Sequence, residues 1–284
     1  MFDKSNDIEL KDFLLIRDLI EARSGIRVRD SRKDYLGYRV RERMSATGIV
    51  DFEEYYFFLK YSSGDAGEFQ LLMNLVTVQE TCFYRNTDQL RSFQDIILRG
   101  IVDRKKAEGS NHIKVWSAAS STGEEALTLA MIINETLDFP NAWRVEILGT
   151  DISTRAVDLC RKGIYPKERF DNLPKDKLAK YFDVVEGGYR AKRILSDMIS
   201  FEHFNLIKDI DSVRVPRLKN MDVIFCRNVF IYFPQETQQA IASKFLELLV
   251  PEGHLLLGNA ESVDIRKVPF IMTFLPGGMI YQKV

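Results

Sequence analysis

Long apolar runs are missing from this chain. Nowhere in its 284 residues does a stretch approach the roughly 18 uninterrupted apolar residues of a membrane span, so membrane insertion is not expected. Cysteine is scarce. Cys82, Cys160 and Cys226 are widely spaced and odd in number, which argues against a disulfide framework and suits a reducing cytoplasm. Histidine is as sparse, and His112, His203 and His254 form neither an H-x-x-H nor an H-E-x-x-H pattern. With no cysteine pair nearby, no metal site is expected. The opening MFDKSNDIELKDF is acidic and polar, unlike a secretory leader. An excess of one charge is also absent: 40 basic against 41 acidic residues leave a net charge of -1. A surface given over to a polyanion is therefore excluded, and with a pI near 6.4 no nucleic-acid partner is expected.

What remains has the composition of a globular protein, 45% hydrophobic and 29% charged, long enough for one large domain or two smaller ones. Residues 8–75 read as helical. Leu10, Phe13, Leu14, Arg17, Ile20 and Glu21 trace a mostly apolar stripe at helical spacing. A second helix is predicted from Ser31 to Thr47, with Gly48 as C-cap. A third runs from the N-cap Asp51 to Lys60, with Tyr55, Phe58 and Leu59 apolar, and a fourth covers Ala66–Leu75. Helices this short need packing partners, so a small helical domain over 1–75 is predicted.

From residue 113 the texture alternates. Strands are predicted at Ile113–Trp116, Val145–Ile152, Asp222–Cys226 and His254–Gly258. Helices are predicted at Gly123–Leu137, at Ser153–Lys162 with Ser153 as N-cap, and at Pro234–Val250. That rhythm means a parallel sheet covered by helices on both faces. Two stretches interrupt it. Tyr181–Val185 and Tyr189–Leu195, around Glu186-Gly187-Gly188, read as a hairpin within an insertion at 164–200. Ile271–Leu275 and Met279–Val284, around Pro276-Gly277-Gly278, read as a second hairpin at the sheet edge.

In an open parallel sheet, ligands bind beyond the carboxyl ends of the strands. The loop after the first strand, Ser117-Ala118-Ala119-Ser120-Ser121-Thr122-Gly123, has one glycine and no G-x-G-x-x-G fingerprint, which disfavours a dinucleotide. Its small residues still permit close backbone approach. Glu124 and Glu125 open the following helix; they repel phosphate and suit a cationic group, or simply favour the helix N-terminus. Asp151 ends the second strand, where an acid hydrogen-bonds ribose hydroxyls. A ribose reader without a phosphate cradle points to S-adenosylmethionine, which carries adenosine, an amino-acid tail and no phosphate.

VWSAASSTGEE, LGTDIS, FNL at 204–206, IFCRNVFIYF and TVQETCFYR at 77–85 resemble motifs of the CheR-type chemotaxis receptor methyltransferases, from about residue 10 to the C-terminus. The resemblance implies a class I methyltransferase (Rossmann-like) α/β mixed sheet with an antiparallel C-terminal hairpin, preceded by a small all-helical domain and carrying a small antiparallel insertion. Its domains are 1–75, a linker at 76–90 that contributes to the active site, and 91–284. It implies transfer of a methyl group from S-adenosylmethionine to glutamate side chains on cytoplasmic helices of chemoreceptors, with S-adenosylhomocysteine as product. By the same resemblance Gln79, Thr81, Arg85, Ala118, Glu125, Asp151, Asn205, Leu206, Arg227 and Asn228 surround the cofactor, and Arg85 and Tyr232 stand near the transferred methyl. The sequence departs from the enterobacterial pattern at Gln79, where Asn is usual, at Cys82 for a small Ala, and at Ala126 where Pro is common.

Such a reaction asks for little acid-base chemistry, since a glutamate with a reference pKa near 4.3 is already ionised at neutral pH. Alignment and removal of water should carry it. For the acceptor side, residues 23–43 hold eight basic and three acidic residues, a net +5, which leaves -6 for the rest. Arg32, Arg39 and Arg43 fall near one side of the second helix and could steer an acidic receptor helix, or form a solvated face with local ion pairs. The hairpin at Gly187 and Gly188 is the second candidate contact, for a receptor C-terminal tether peptide, or a shield for the site. Nothing in the sequence demands more than a monomer. A signalling module that holds S-adenosylmethionine or its product without transfer, and a class I methyltransferase acting on RNA or a small molecule, are the alternatives.

Overall fold

The computed structural model describes residues 8–61, 67–211 and 215–284. The expected start of the fourth helix at Ala66 lies outside the described residues.

Four α-helices come first among the described residues: α1 (Leu10–Ser24), α2 (Lys33–Thr47), α3 (Phe52–Tyr61) and α4 (Glu68–Val76). Their caps follow the local chemistry. Asp51 Oδ1 accepts from Glu54 N at 2.9 Å, and Gly48 ends α2 at φ 76°. The buried face of α1 differs from the predicted stripe. Phe13, Ile16 and Ile20 point inward, whereas Leu10 is 62% exposed. The apolar residues of α1 cover more than one face, and only packing against Leu36, Val40, Tyr55, Leu59, Leu72 and Met73 selects which is buried. Each such side chain contributes roughly 1.5–3 kcal/mol. Phe58, one of the apolar residues read in the third helix, is 42% exposed.

A helical run that the sequence reading did not assign follows: α5 (Thr87–Ser92), a π-helical turn (Phe93–Leu98) and α6 (Arg99–Ala107). It leads into a seven-stranded sheet of β1 (His112–Ala118), β2 (Arg144–Asp151), β6 (Ile199–His203), β7 (Met221–Cys226), β8 (Leu249–Leu257), β9 (Phe270–Leu275) and β10 (Gly278–Lys283). Their order is β6-β2-β1-β7-β8-β10-β9. Only β10 runs against its neighbours, so the C-terminal hairpin inserts its second strand between β8 and β9. Helices α7 (Glu124–Thr136), α8 (Thr154–Lys162) and α11 (Gln235–Leu248) connect the parallel strands. Side chains alternate between two cores: Ile113, Val115, Val223 and Phe225 enter one, and Trp116, Ala118, Ile224 and Cys226 the other. With both faces covered, every residue of β7 is buried.

The insertion forms a three-stranded sheet in the order β3-β5-β4, from β3 (Ile164–Tyr165), β4 (Phe182–Val185) and β5 (Gly188–Ala191). The predicted strand Tyr189–Leu195 is cut short. It gives way to a turn of helix, α10 (Arg193–Ser196), which sinks Leu195 into the core. Tyr181 is likewise the last residue of α9 (Lys175–Tyr181) and not the first of β4. The C-terminal hairpin turn depends on glycine. A Cβ on Gly277 would stand 2.1 Å from Gln89 N, because the turn is pressed onto α5, where Ser92 Oγ donates to Pro276 O at 2.6 Å.

Candidate active site

The strand order turns at β1, with β2 on one side and β7 on the other, and the three carboxyl ends open onto one cavity. The loop after β1 enters the left-handed region at two non-glycine residues, Ala119 (φ 59°) and Ser121 (φ 51°). That path turns Ser121 N toward Asp151, whose Oδ2 accepts it at 2.8 Å, while Asp151 Oδ1 accepts from Ser153 N at 2.8 Å. Burial pushes the Asp151 carboxyl above its ordinary value of 3.8, and the two amides act in the opposite direction. Each oxygen keeps a lone pair for a further donor. Ser121 Oγ is buried with no partner among the described residues, a polar atom that suits a polar ligand beside it.

Glu125 and Arg227 form the cavity floor. Arg227 Nε donates to Glu125 Oε2 at 2.7 Å, and Ser117 Oγ donates to Oε1 at 2.7 Å. Arg227 Nη1 reaches the linker, donating to Arg85 O at 2.9 Å and to Gln89 Oε1 at 3.1 Å. The predicted cation site at Glu125 therefore already holds a cation, and a ligand ammonium would share the carboxylate with Arg227. Glu124 does not line the cavity. It is fully buried, accepts from Thr122 Oγ1 at 2.6 Å and lies 3.6 Å from Arg169 Nη1; burial pushes its carboxyl up.

The linker supplies the opposite wall. Phe83 is fully buried and stacks on Phe170 of the insertion at 4.8 Å, and Arg169 Nη1 donates to Thr81 O at 3.1 Å. Tyr84 (φ 55°) and Asn86 (φ 60°) bracket Arg85, whose Nη1 donates to Glu80 O at 2.9 Å. Tyr232 sits in the single turn Phe230–Tyr232 after β7, and its carbonyl accepts from Arg27 N at 2.8 Å. That bond brings the loop after α1 to the site, and Ile26, Arg27, Val28 and Arg29 join the lining.

The resulting cavity has a volume of about 340 Å³. It gathers Gln79, Thr81, Arg85, Glu125, Asp151, Arg227, Asn228 and Tyr232 among the predicted residues, and Arg32 among the predicted receptor contacts. Ala118 lies beneath it, 1% exposed, and its successor Ala119 does the lining. Asn205 and Leu206 are not brought to the cavity. Asn205 Nδ2 donates to Arg23 O at 2.9 Å, which ties the turn after β6 to the end of α1, and Leu206 is buried in the core. The physical reason is position: β6 lies outside β2 at the sheet edge, so its end faces the helical domain. Gln79 Nε2 donates to Ser153 Oγ at 2.9 Å; its longer side chain reaches the turn behind Asp151.

A second groove, of about 640 Å³, shares Arg32, Tyr35, Thr77, Val78 and Gln79 with the cavity and continues past Arg39 and Arg155. Arg39 faces it, paired with Glu42 at 3.0 Å. Arg43 does not share that face. It turns inward to a two-pronged contact with Glu68 at 2.8 and 2.7 Å, where Tyr55 Oη also donates. The helix periodicity that placed Arg43 beside Arg39 could not reveal this buried partner. Gly187 and Gly188 turn the β4–β5 hairpin at φ 85° and 142°, outside both the cavity and the groove. Among the described residues no cluster of His, Cys, Asp or Glu is placed to hold a metal, and no helix is long and apolar enough to cross a membrane.

Sequence reasoning missed Ser120, Ser121, the Ile26–Arg29 loop and Asn74. Asn74 Oδ1 accepts from Ser153 Oγ at 3.1 Å, and its Nδ2 donates to Thr154 Oγ1 at 2.9 Å, so α4 braces the turn behind Asp151. The small-residue loop signalled Ser120 and Ser121 only as a group. Nothing local signalled Asn74.

Comparisons with known proteins bear on the family. The family described as CheR methyltransferase, SAM binding domain, matches residues 79–277, and the CheR methyltransferase all-alpha domain matches residues 11–77. The chain is similar to the chemotaxis protein methyltransferase of Escherichia coli, 35% identical over 88% of this chain and 84% of that one. It is similar also to the chemotaxis protein methyltransferase of Borreliella burgdorferi, 32% identical over 84% and 83%. Chemotaxis protein methyltransferase 2 of Vibrio cholerae is 32% identical over 89% of this chain and 86% of its own length.

Proposed function

The chain belongs to the CheR methyltransferase family, and from that premise we propose that it methylates glutamate carboxylates on the cytoplasmic helices of a chemoreceptor, giving glutamate methyl esters. The observation that carries the reading is that Arg85 and Tyr232 line the same cavity as Asp151. The groups present fit S-adenosylmethionine: Asp151 for the ribose hydroxyls, the unpartnered Ser121 Oγ beside it, and Glu125 for the ammonium. When bound, that cofactor supplies a methyl group already activated on a sulfonium.

The residues of the chain are left with positioning. The acceptor arrives ionised, so no general base is needed. Among the described residues Arg85 donates one hydrogen bond, to the Glu80 carbonyl, and its other N–H donors hold the incoming carboxylate. A contact to one carboxylate oxygen leaves the second oxygen nucleophilic. The Tyr232 hydroxyl donates to that carboxylate and orients it for in-line displacement. Ile26, Val28, Ile152, Val229 and Ile231 surround the polar groups and exclude water, which strengthens the contacts inside. Arg29 and Arg32, both exposed at the cavity, draw the acidic helix inward, and the groove past Arg39 receives its flank. The unpaired edge of β4, where Val184 is 80% exposed, has room for an added strand, the tether contact that the resemblance implies.

The test is incubation with methyl-labelled S-adenosylmethionine and an acidic chemoreceptor cytoplasmic fragment. Base-labile label on receptor glutamates is the expected result. Cofactor binding without transfer across several receptors would instead indicate a sensing module, and label on RNA alone would indicate a different methyltransferase.

A further inference from the structure

One buried carboxylate behind the cavity wall gathers the loop that carries Asn228 and Tyr232. Glu261 lies in the turn after β8 and is 5% exposed. Its Oε2 accepts from Gly258 N at 2.6 Å and from Asn228 N at 2.8 Å, and its Oε1 accepts from Ile231 N at 3.3 Å. Glu261 N donates to Gly258 O at 3.0 Å, which closes the turn on itself. No side chain fits at Gly258: a Cβ there would stand 2.7 Å from Glu261 Oε2 and 2.9 Å from Asn228 N.

The chain path explains why such an acceptor is needed. Asn228 leaves the buried strand β7 in the left-handed region, at φ 61°, and the single turn Phe230–Tyr232 follows at once. A strand that breaks off in this way leaves inward-facing amides that no neighbouring strand can satisfy. A carboxylate answers them best, because it offers about four lone-pair positions and no donor, and its bonds are charge-assisted. The same three amides compensate the buried charge. Glu261 is not among the residues that line the cavity, so it touches neither cofactor nor acceptor.

We propose that Glu261 is a positioning residue for methyl transfer, fixing the Asn228–Tyr232 loop so that the Tyr232 hydroxyl meets the acceptor; this rests on the methyltransferase reading above. In Glu261→Gln an NH₂ group must face at least one amide N–H. The loop loosens at its anchored end while β7 and the cofactor loop after β1 keep their own bonds. A misplacement of about 1 Å at a reacting group lowers turnover by about 100-fold.

The experiment uses the full chain. Hydrogen exchange is followed in wild type, Glu261→Gln and Glu261→Asp, together with S-adenosylhomocysteine affinity and turnover on a receptor fragment. The expected result for Glu261→Gln is faster exchange confined to peptides spanning 227–233, kcat down about 30- to 100-fold, and cofactor Kd within about threefold. Glu261→Asp, which keeps the charge, recovers part of both, and it carries the exchange measurement if Glu261→Gln does not fold. In a Tyr232→Phe background, Glu261→Gln should add less than about a threefold further loss, because both changes remove one function. Unchanged exchange at 227–233, or losses that multiply in full with Tyr232→Phe, would overturn the assignment. If wild type methylates no receptor fragment, the functional reading fails, while the exchange data still decide whether Glu261 holds the loop.

Discussion

On the proposed reading, single residues divide into those that meet the acceptor and those that meet the cofactor, and the two classes should separate in kinetics. Tyr232→Phe and Arg85→Ala are expected to lower kcat by about 10²–10³-fold on a receptor fragment and to leave S-adenosylhomocysteine affinity within a few-fold, as steady-state rates and calorimetry would show. Asp151 should do the reverse, and with a pH signature. Its carboxyl is raised above 3.8 by burial, so as the pH falls it takes up a proton at a higher pH than an exposed aspartate does. Cofactor affinity should therefore weaken with acidification above the ordinary aspartate range, and Asp151→Asn should remove that dependence. The cysteines give a simpler prediction. Burial pushes the Cys160 and Cys226 thiols up, whereas Cys82 is partly exposed. A thiol reagent on the native protein should label Cys82 alone, and mass spectrometry would locate the adduct. That Arg85, Asp151 and Tyr232 would stand near one cavity was legible in the sequence, from a strand end for Asp151 and from the family resemblance for Arg85 and Tyr232. Ser121 and Glu261 were not, since their roles depend on a backbone turn and on a partner remote in sequence.

At the scale of elements, two of the three arginines of α2, Arg39 and Arg43, have different duties, although the sequence places them on one side. Arg43 and Glu68 form a buried pair, with side chains 19% and 4% exposed, while Arg39 pairs with Glu42 at the groove. Breaking a buried pair costs about 3–5 kcal/mol, so Arg43→Glu should lower the melting temperature sharply. Arg39→Glu should leave melting nearly unchanged and weaken methylation of the receptor fragment. The opposite pattern would mean that α2 does not face the substrate. The turn after β2 shows how elements cooperate: Asn74 of α4 and Gln79 of the linker both hold Ser153, which in turn holds Asp151. A short continuous apolar strand such as β7 and a capped helix such as α8 were readable. The run from Thr87 to Ala107 was not, because its π-helical turn breaks the 3.6-residue pattern. The predicted strand through Leu195 failed for another reason: the core took Leu195 into a helical turn.

For the whole molecule, the net charge of -1 averages a +5 segment against -6 elsewhere, and the structure spends part of that +5 internally. Arg23 donates to Leu59 O and Lys60 O, Arg27 pairs with Glu21 and Arg43 with Glu68, whereas Arg29 and Arg32 stay exposed at the cavity. Association with an acidic helix should then be salt-sensitive. Raising ionic strength from about 0.05 to 0.5 M should lower kcat/KM for the receptor fragment several-fold, with cofactor Kd little changed, because screening acts on exposed charges and much less inside the cavity. By itself the sequence determined the architecture and the chemistry: a helical domain, a sheet covered on both faces, and a cavity at its strand ends without a phosphate cradle. Period and strand-end position encode these locally. Tertiary structure alone decided which arginines remain available, that Asn205 braces a helix away from the cavity, and that Glu261 holds the Tyr232 loop. Each depends on a partner far away in the chain, which only the close packing of the elements brings within hydrogen-bonding distance.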